Sequence, residues 1–253
     1  MILMLAGTSD ARELALRMKK AGFRLRVTVV TENAAKSLRD EGLDVFVGRL
    51  DGEDMKKMIA DKGFQAVVDA SHPFAEEASK NALYAAKQMN VPYVRYEREP
   101  TAFEKDPLIT EVNCYEEAAE YAAKQGGVIM LTTGSKTLDI FAKTLVGRSD
   151  TTLVARMLPR KENMEKCEKF GIEQKNIVAM QGPFSTELNK ALYRHYGVTL
   201  VVTKESGKIG SVDEKLEAAR QLGIPVVMIK RPKIDYGNVF SSYEEVIAAL
   251  NHL

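Results

Sequence analysis

Residues 1–12 read Met1-Ile2-Leu3-Met4-Leu5-Ala6-Gly7-Thr8-Ser9-Asp10-Ala11-Arg12, an apolar run that ends at a glycine and gives way to hydroxyl and carboxylate side chains. The run lacks a basic lead-in and a small-residue cleavage site, so it reads as a buried strand and not as a signal peptide. Gly7 permits a tight turn, and Thr8, Ser9 and Asp10 are residue types that open helices. A strand, a glycine turn and a helix start together offer unpaired backbone N–H groups to a phosphate or pyrophosphate. Only the first glycine of a GxGxxG pattern is present, so an ordinary capped turn accounts for these residues equally well.

The alternation continues outward from this stretch. Strands are expected at 2–6, 24–30, 44–47, 66–69 and 93–95, and again at 128–132, 152–156, 177–180, 199–203 and 226–229. Between them, Ala75, Ala78, Ala82, Ala85 and Met89 recur at helical spacing, as do Leu188, Ala191 and Leu192, and later Val212, Leu216 and Ala219. Gly22, Gly63, Gly197 and Gly223 stand where helices should stop. The pattern predicts an α/β chain with two Rossmann-like domains, each a mainly parallel sheet flanked by helices. Near residues 97–111 it lapses into mixed charge with Pro100 and Pro107. The expected division is a dinucleotide-binding domain at 1–98, a crossover at 99–112 and an α/β substrate domain at 113–253.

The chain has 253 residues, 45% of them hydrophobic, which is enough for substantial cores. Its 36 Lys and Arg against 35 Asp and Glu leave a formal charge of +1, too even for non-specific nucleic-acid binding. An anionic ligand must therefore meet a local basic cluster. Cys114 and Cys167 form neither a CxxC pair nor a disulfide framework, and His72, His195 and His252 are too dispersed for a metal site. No window approaches the roughly 18 apolar residues of a membrane span. The expectation is a cytoplasmic protein with no metal, no nucleic-acid partner and no membrane partner; the sequence leaves its oligomeric state open.

Residues just past the carboxyl ends of parallel strands face the ligand crevice. At the second strand, Thr31 and Glu32 pull cofactor choice in opposite directions, and Arg49 follows the third. At the fourth, Ser71 and His72 fall near the reactive end of a dinucleotide. His72 is a candidate proton donor, or else a residue that shapes the turn before Pro73. In the second half, Thr133, Gly134, Ser135 and Lys136 form a hydroxyl-rich, glycine-hinged helix start. Gln181 and Gly182, with Ser185 as a helix cap, end another strand; Lys204 and Ser206 end a third, and Arg156 a fourth. Lys136, Arg156 and Lys204 on one sheet edge, with Arg95 and Arg98 from the hinge, would form a basic cleft for a multiply charged anion. No Ser/His/Asp triad, close carboxylate pair or nucleophile elbow marks a hydrolase.

Six stretches in series, GTSDAR at 7–12, DASHPFA at 69–75, YVRYER at 93–98, TTGSK at 132–136, MQGPFS at 180–185 and TKESG at 203–207, resemble the precorrin-6A reductase family of cobalamin biosynthesis, including its cobalt-precorrin-6A form. The resemblance spans nearly the whole chain. It implies an NAD(P)H-dependent reductase, with NADPH favoured over NADH, that saturates one double bond of a tetrapyrrole carrying acetate and propionate arms. Carried over to this chain, Gly7, Thr8, Ser9, Asp10, Ala11 and Arg12 would hold the pyrophosphate, while Ser71 and His72 would lie near the nicotinamide. Lys136, Gln181, Lys204 and Ser206 would line the tetrapyrrole pocket, with Lys204 the best candidate for a polar group aimed at the ring. Two other readings stay open: a dinucleotide-dependent reductase of another anionic metabolite, and a non-catalytic two-domain binding protein.

Overall fold

A computed structural model describes residues 1–99, 106–205 and 213–253. In chain order the elements are β1 (Ile2–Leu5), α1 (Ser9–Lys20), β2 (Leu25–Val29), α2 (Glu32–Arg39), β3 (Asp44–Val47), α3 (Gly52–Lys62), β4 (Ala66–Asp69), α4 (Glu76–Gln88) and β5 (Tyr93–Tyr96). Next come β6 (Ile109–Val112), α5 (Tyr115–Gln125), β7 (Gly127–Leu131), α6 (Leu138–Leu145), β8 (Thr151–Met157), α7 (Lys161–Lys169), β9 (Ile177–Ala179), α8 (Thr186–Tyr196), β10 (Leu200–Lys204), α9 (Glu214–Leu222) and β11 (Val226–Ile229). Then β12 (Val239–Phe240) and α10 (Tyr243–Asn251) follow. They form two compact units, one of Met1–Glu99 with Pro232–Leu253, the other of residues 100–231.

The first unit holds a parallel six-stranded sheet in the order β3-β2-β1-β4-β5-β12. Its central strands are buried on both faces, so their apolar runs are continuous and alternate residues serve opposite sides. Ile2, Met4 and Val68 pack with Ala11, Leu14 and Met18 of α1 and with Val246 and Leu250 of α10. Leu3, Leu5 and Val67 pack on the other side with Met55 and Ile59 of α3 and Ala82 and Ala85 of α4. Helix α3 opens with a capping box between Asp51 and Asp54 and stops at Gly63, whose left-handed φ of 62° is open to glycine without a Cβ penalty.

The second unit also holds a parallel six-stranded sheet, β9-β8-β7-β10-β11-β6. Met130, Val154, Val201 and Met228 pack with Tyr193 of α8 and Leu216 and Ala219 of α9. Counting within each unit, the first sheet runs 3-2-1-4-5-6, the dinucleotide-fold order with its switch point between strands 1 and 4, and the second runs 4-3-2-5-6-1: its β7–β11 repeat the 3-2-1-4-5 arrangement, while the sixth place is taken by β6, the strand that comes first in the chain of that unit. In the first unit β1 and β4 flank that point, pairing Leu5 with Asp69; in the second, β7 and β10 do, pairing Leu131 with Val202.

Ten expected strands are present, and two more were not anticipated, β6 and β12, each at one edge of a sheet. The crossover expected at 99–112 therefore ends in a strand, because β6 pairs with β11 along Ile109–Val112. The second domain, expected to run to residue 253, differs likewise: β12 pairs with β5 through Val239 and Phe240, and α10 completes the first unit's core. On α8 the buried residues are Asn189 and Tyr193; of the expected stripe Leu192 packs against the core and Leu188 is half-buried, whereas Ala191 is exposed, so the core face is turned by about one residue. Val212 lies outside the described residues.

Candidate functional site

At the first switch point, β1 hands over to α1 through Ala6, Gly7 and Thr8. Gly7 is exposed at φ 154°, and a Cβ there would meet nothing within 4 Å, so the approach to the start of α1 is open. Thr8 caps α1 by accepting the Ala11 amide at 3.1 Å, and the Arg12 amide bonds the Thr8 carbonyl. The amides of Ser9 and Asp10 precede the first intrahelical bond, which is the set of donors that binds anions at a helix start. Asp10 is ion-paired with Arg98. Burial pushes the Asp10 carboxyl upward and the Arg98 guanidinium opposes that shift, so the pair removes a bare negative charge from an anion site. Arg12 points elsewhere, to Glu41 at 2.9 Å. This cradle fits the pyrophosphate of a dinucleotide.

At the end of β2, Thr31 caps α2 through the Ala34 amide, and Glu32 pairs with Arg39 at 2.8 Å. Thr31 is thus engaged as a structural cap, and the Glu32 carboxylate, one of the two groups weighed for cofactor choice, already faces a cation. Val30 stands 53% exposed beside them.

The end of β4 carries the densest polar packing in the first unit. Asp69 and Arg95 are both fully buried, with Arg95 Nη1 2.9 Å from Asp69 Oδ1. The Asp69 carboxylate also accepts from Ser79 Oγ at 2.6 Å, Tyr93 Oη at 2.8 Å and the Ser71 amide at 2.9 Å. Arg95 reaches Glu97 at 3.0 Å and lies 4.9 Å from the Tyr236 ring. Burial, reinforced by Asp69, pushes the Tyr93 phenol far above its ordinary range. Removing one partner of such a pair would leave a buried charge, at a cost of about 3–5 kcal/mol. Arg95, expected to face a substrate, is inside this network and presents nothing to a ligand, and Arg98 is bound to Asp10. Ser71 is buried, its hydroxyl 3.3 Å from Arg95 Nη1 and 3.4 Å from Ser79 Oγ. His72 is half-buried, and its Nδ1 accepts the Phe74 amide at 3.1 Å, which places the ring proton of the neutral imidazole on Nε2.

In the second unit, a cleft of about 430 Å³ opens beyond the ends of β7, β8 and β9, lined among others by Gly134, Arg156, Met180, Gly182, Phe184 and Lys215. Arg156 decides its character. The side chain is 7% exposed, donates to Asn189 Oδ1 at 2.6 Å and stacks 4.1 Å from the Phe184 ring centroid. It has no ion-pair partner within 4.0 Å among the described residues; burial lowers its proton affinity, opposed by the more distant negative charge of Asp213, which also lines the cleft. A desolvated cation held by an amide and an aromatic face remains available to an anion. Asn189, missed in the sequence, is fully buried on α8 and orients that guanidinium.

Lys204 ends β10 at the switch point itself. Its ammonium is pulled down to about 8, chiefly by burial and further by the positive charges of Lys136 and Lys215. The neighbouring Glu205 faces Arg231 at 3.3 Å. Helix α6 begins at Leu138, so Ser135 and Lys136 lie in the preceding turn and not in the first helical turn as expected; Gly134 takes φ 81° there. Thr133 is buried. Gln181 is exposed beside the cleft-lining Gly182, and Ser185 caps α8 as expected. Ser206 lies outside the described residues. Among the described residues no cluster of three or more His, Cys, Asp or Glu suits a metal, and no helix is long and apolar enough to cross a membrane.

Over residues 1–251 the sequence matches the family described as precorrin-6x reductase CbiJ/CobK. It is 60% identical over 250 residues to the cobalt-precorrin-6A reductase of Priestia megaterium, covering 99% of this chain and 98% of that protein. It is 33% identical over 242 residues to the precorrin-6A reductase of Rhodococcus erythropolis, covering 92% and 90%. Among solved structures, a CobK precorrin-6A reductase matches with a TM-score of 0.79 at 25% identity, covering 99% of this chain and 96% of that one.

Proposed function

The chain belongs to the precorrin-6x reductase CbiJ/CobK family, and on that premise we propose that it reduces one double bond of cobalt-precorrin-6A, a step of corrin-ring synthesis, with the dinucleotide held by the first unit and the carboxylate arms of the ring by the second. The observation that carries this reading is the buried Arg156 guanidinium with no ion-pair partner among the described residues. The cobalt form is favoured because the relative at 60% identity bears that name. Cobalt enters as part of the substrate.

A bound nicotinamide dinucleotide, NADPH or NADH, supplies the hydride, and one proton completes the addition of two hydrogens across the double bond. The chain's own residues bind, orient and balance charge. Gly7 leaves the start of α1 uncovered, the Ser9 and Asp10 amides donate to the pyrophosphate, and the Arg98 pairing quiets the Asp10 carboxylate beneath it. Arg156 takes a carboxylate, its plane fixed by Asn189 and Phe184. Lys204, with Lys136 and Lys215 beside it, meets a second carboxylate or the ring edge; with its proton affinity near neutral it is able to release a proton there. His72, whose Nδ1 accepts the Phe74 amide, offers Nε2–H as a hydrogen-bond donor at the nicotinamide end.

Purified protein is expected to oxidise NADPH or NADH only when cobalt-precorrin-6A is supplied, yielding a product two hydrogens heavier. Tight binding of both ligands with no cofactor oxidation would reject the reductase reading in favour of a binding protein.

A further inference from the structure

Nothing in the packing of the first sheet calls for charge at the end of β4. The flanking residues Val67, Val68 and Val94 are apolar and buried, yet Asp69 and Arg95 sit beside them without solvent. A buried ion pair gives little net stability over apolar residues of the same volume, because both charges lose their water. It does fix direction, since each bond constrains distance and angle. Here the direction is toward one loop. Asp69 Oδ1 takes the Ser71 amide, Arg95 Nη1 lies 3.4 Å from the Asp69 carbonyl and 3.3 Å from Ser71 Oγ, and His72 is held in turn through the Phe74 amide. From the other side Tyr236, delivered by the segment that returns after residue 231, stacks on Tyr93 with centroids 6.4 Å apart and covers Arg95.

We propose that Asp69 and Arg95 are positioning residues for the reduction, holding the Ser71–His72 turn in the geometry that the nicotinamide end of the dinucleotide requires, with Tyr236 closing the network. The inference rests on the first unit being the dinucleotide site. It makes the charge pair a device of alignment and not of stability, and it gives the returning segment a part in the site.

The test compares wild type with the Asp69→Leu/Arg95→Met double variant, which removes both charges of the buried pair together. The expected result is a folded protein whose NADH or NADPH dissociation constant, read by fluorescence titration, rises at least about tenfold and whose kcat falls by as much, as misalignment on the ångström scale does. The KM for cobalt-precorrin-6A should stay close to that of wild type. Loss of fold would move both ligands together, so the split between them separates positioning from general damage. If the double variant does not fold, Tyr93→Phe combined with Ser79→Ala keeps both charges and removes two donors to Asp69; a smaller loss in the same two quantities is expected. Unchanged cofactor affinity and kcat in the folded variant overturn the proposal, while a wild type that binds neither NADH nor NADPH overturns the dinucleotide reading instead.

Discussion

The two units share a five-strand arrangement about the switch point, completed by the last strand of the chain in the first and by the first strand of its unit in the second, and they differ in how they treat charge there. In the first, three arginines near the crevice are matched: Arg98 by Asp10, Arg95 by Asp69 and Glu97, and Arg39 by Glu32. What remains for a ligand there is backbone amide, hydroxyl and an open glycine turn. In the second, Arg156 has no ion-pair partner among the described residues and Lys204 lies in the positive field of two further lysines. The same arrangement of strands about the switch point thus yields one crevice suited to a pyrophosphate held by a helix start and one suited to carboxylates held by side-chain cations. The near-zero formal charge of the chain conceals the second, because the balance is made elsewhere on the surface.

This contrast can be broken most forcefully at Arg156. Arg156→Met removes the cation and keeps the apolar stem over Phe184; losing a buried charge partner costs about 2–5 kcal/mol, so the KM for the tetrapyrrole should rise by roughly 30-fold or more. Cofactor affinity should not change, and the thermal midpoint should hold or rise because a desolvated charge is gone. An unaltered KM would remove Arg156 from the substrate site.

Lys204 sharpens the contrast through pH. With a pKa pulled down to about 8, its ammonium is intact at pH 7 and is lost as pH rises through about 8. Wild-type kcat/KM for the tetrapyrrole should therefore fall above that pH. In Lys204→Met the neutral-pH value should drop by about tenfold and the alkaline limb should vanish, as expected for loss of one acid or anion contact. A limb that survives the substitution assigns it to another group.

The smallest effect belongs to Glu32. Exposed and paired with Arg39, it acts through screened water, so Glu32→Ala should shift the NADPH-to-NADH preference toward NADPH by only a few-fold. Measured with both cofactors on one preparation, no shift at all would place the ribose contact elsewhere.

Strands with strong apolar runs and glycine-stopped helices were legible in the sequence because their signals are local. The edge strands β6 and β12 were not. Ile-Thr-Glu-Val at 109–112 and the two residues Val239 and Phe240 are β-forming types, but the first follows the Asp106-Pro107 break and the second is only two residues long, so each is recognisable as a strand only through the neighbour that lies alongside. Gly7, Lys204 and Arg156 were candidates in the sequence because strand ends locate crevice residues. Arg95 was misread for the same reason: position at a strand end says nothing of burial, and its partners Asp69 and Tyr236 are far away in sequence. Asn189 was hidden on α8 because an apolar stripe one position off gave the stronger signal.

The separation of the two ligands is tested most directly by crossed titrations of two variants, each with each ligand. Gly7→Ala places a side chain in a backbone conformation that L-residues rarely adopt, in open space at the start of α1. The expected pattern is that Gly7→Ala weakens NADH or NADPH and leaves tetrapyrrole affinity intact, while Arg156→Met does the reverse. If either variant weakens both ligands equally, or if Arg156→Met weakens the dinucleotide alone, the assignment of one ligand to each switch point is contradicted.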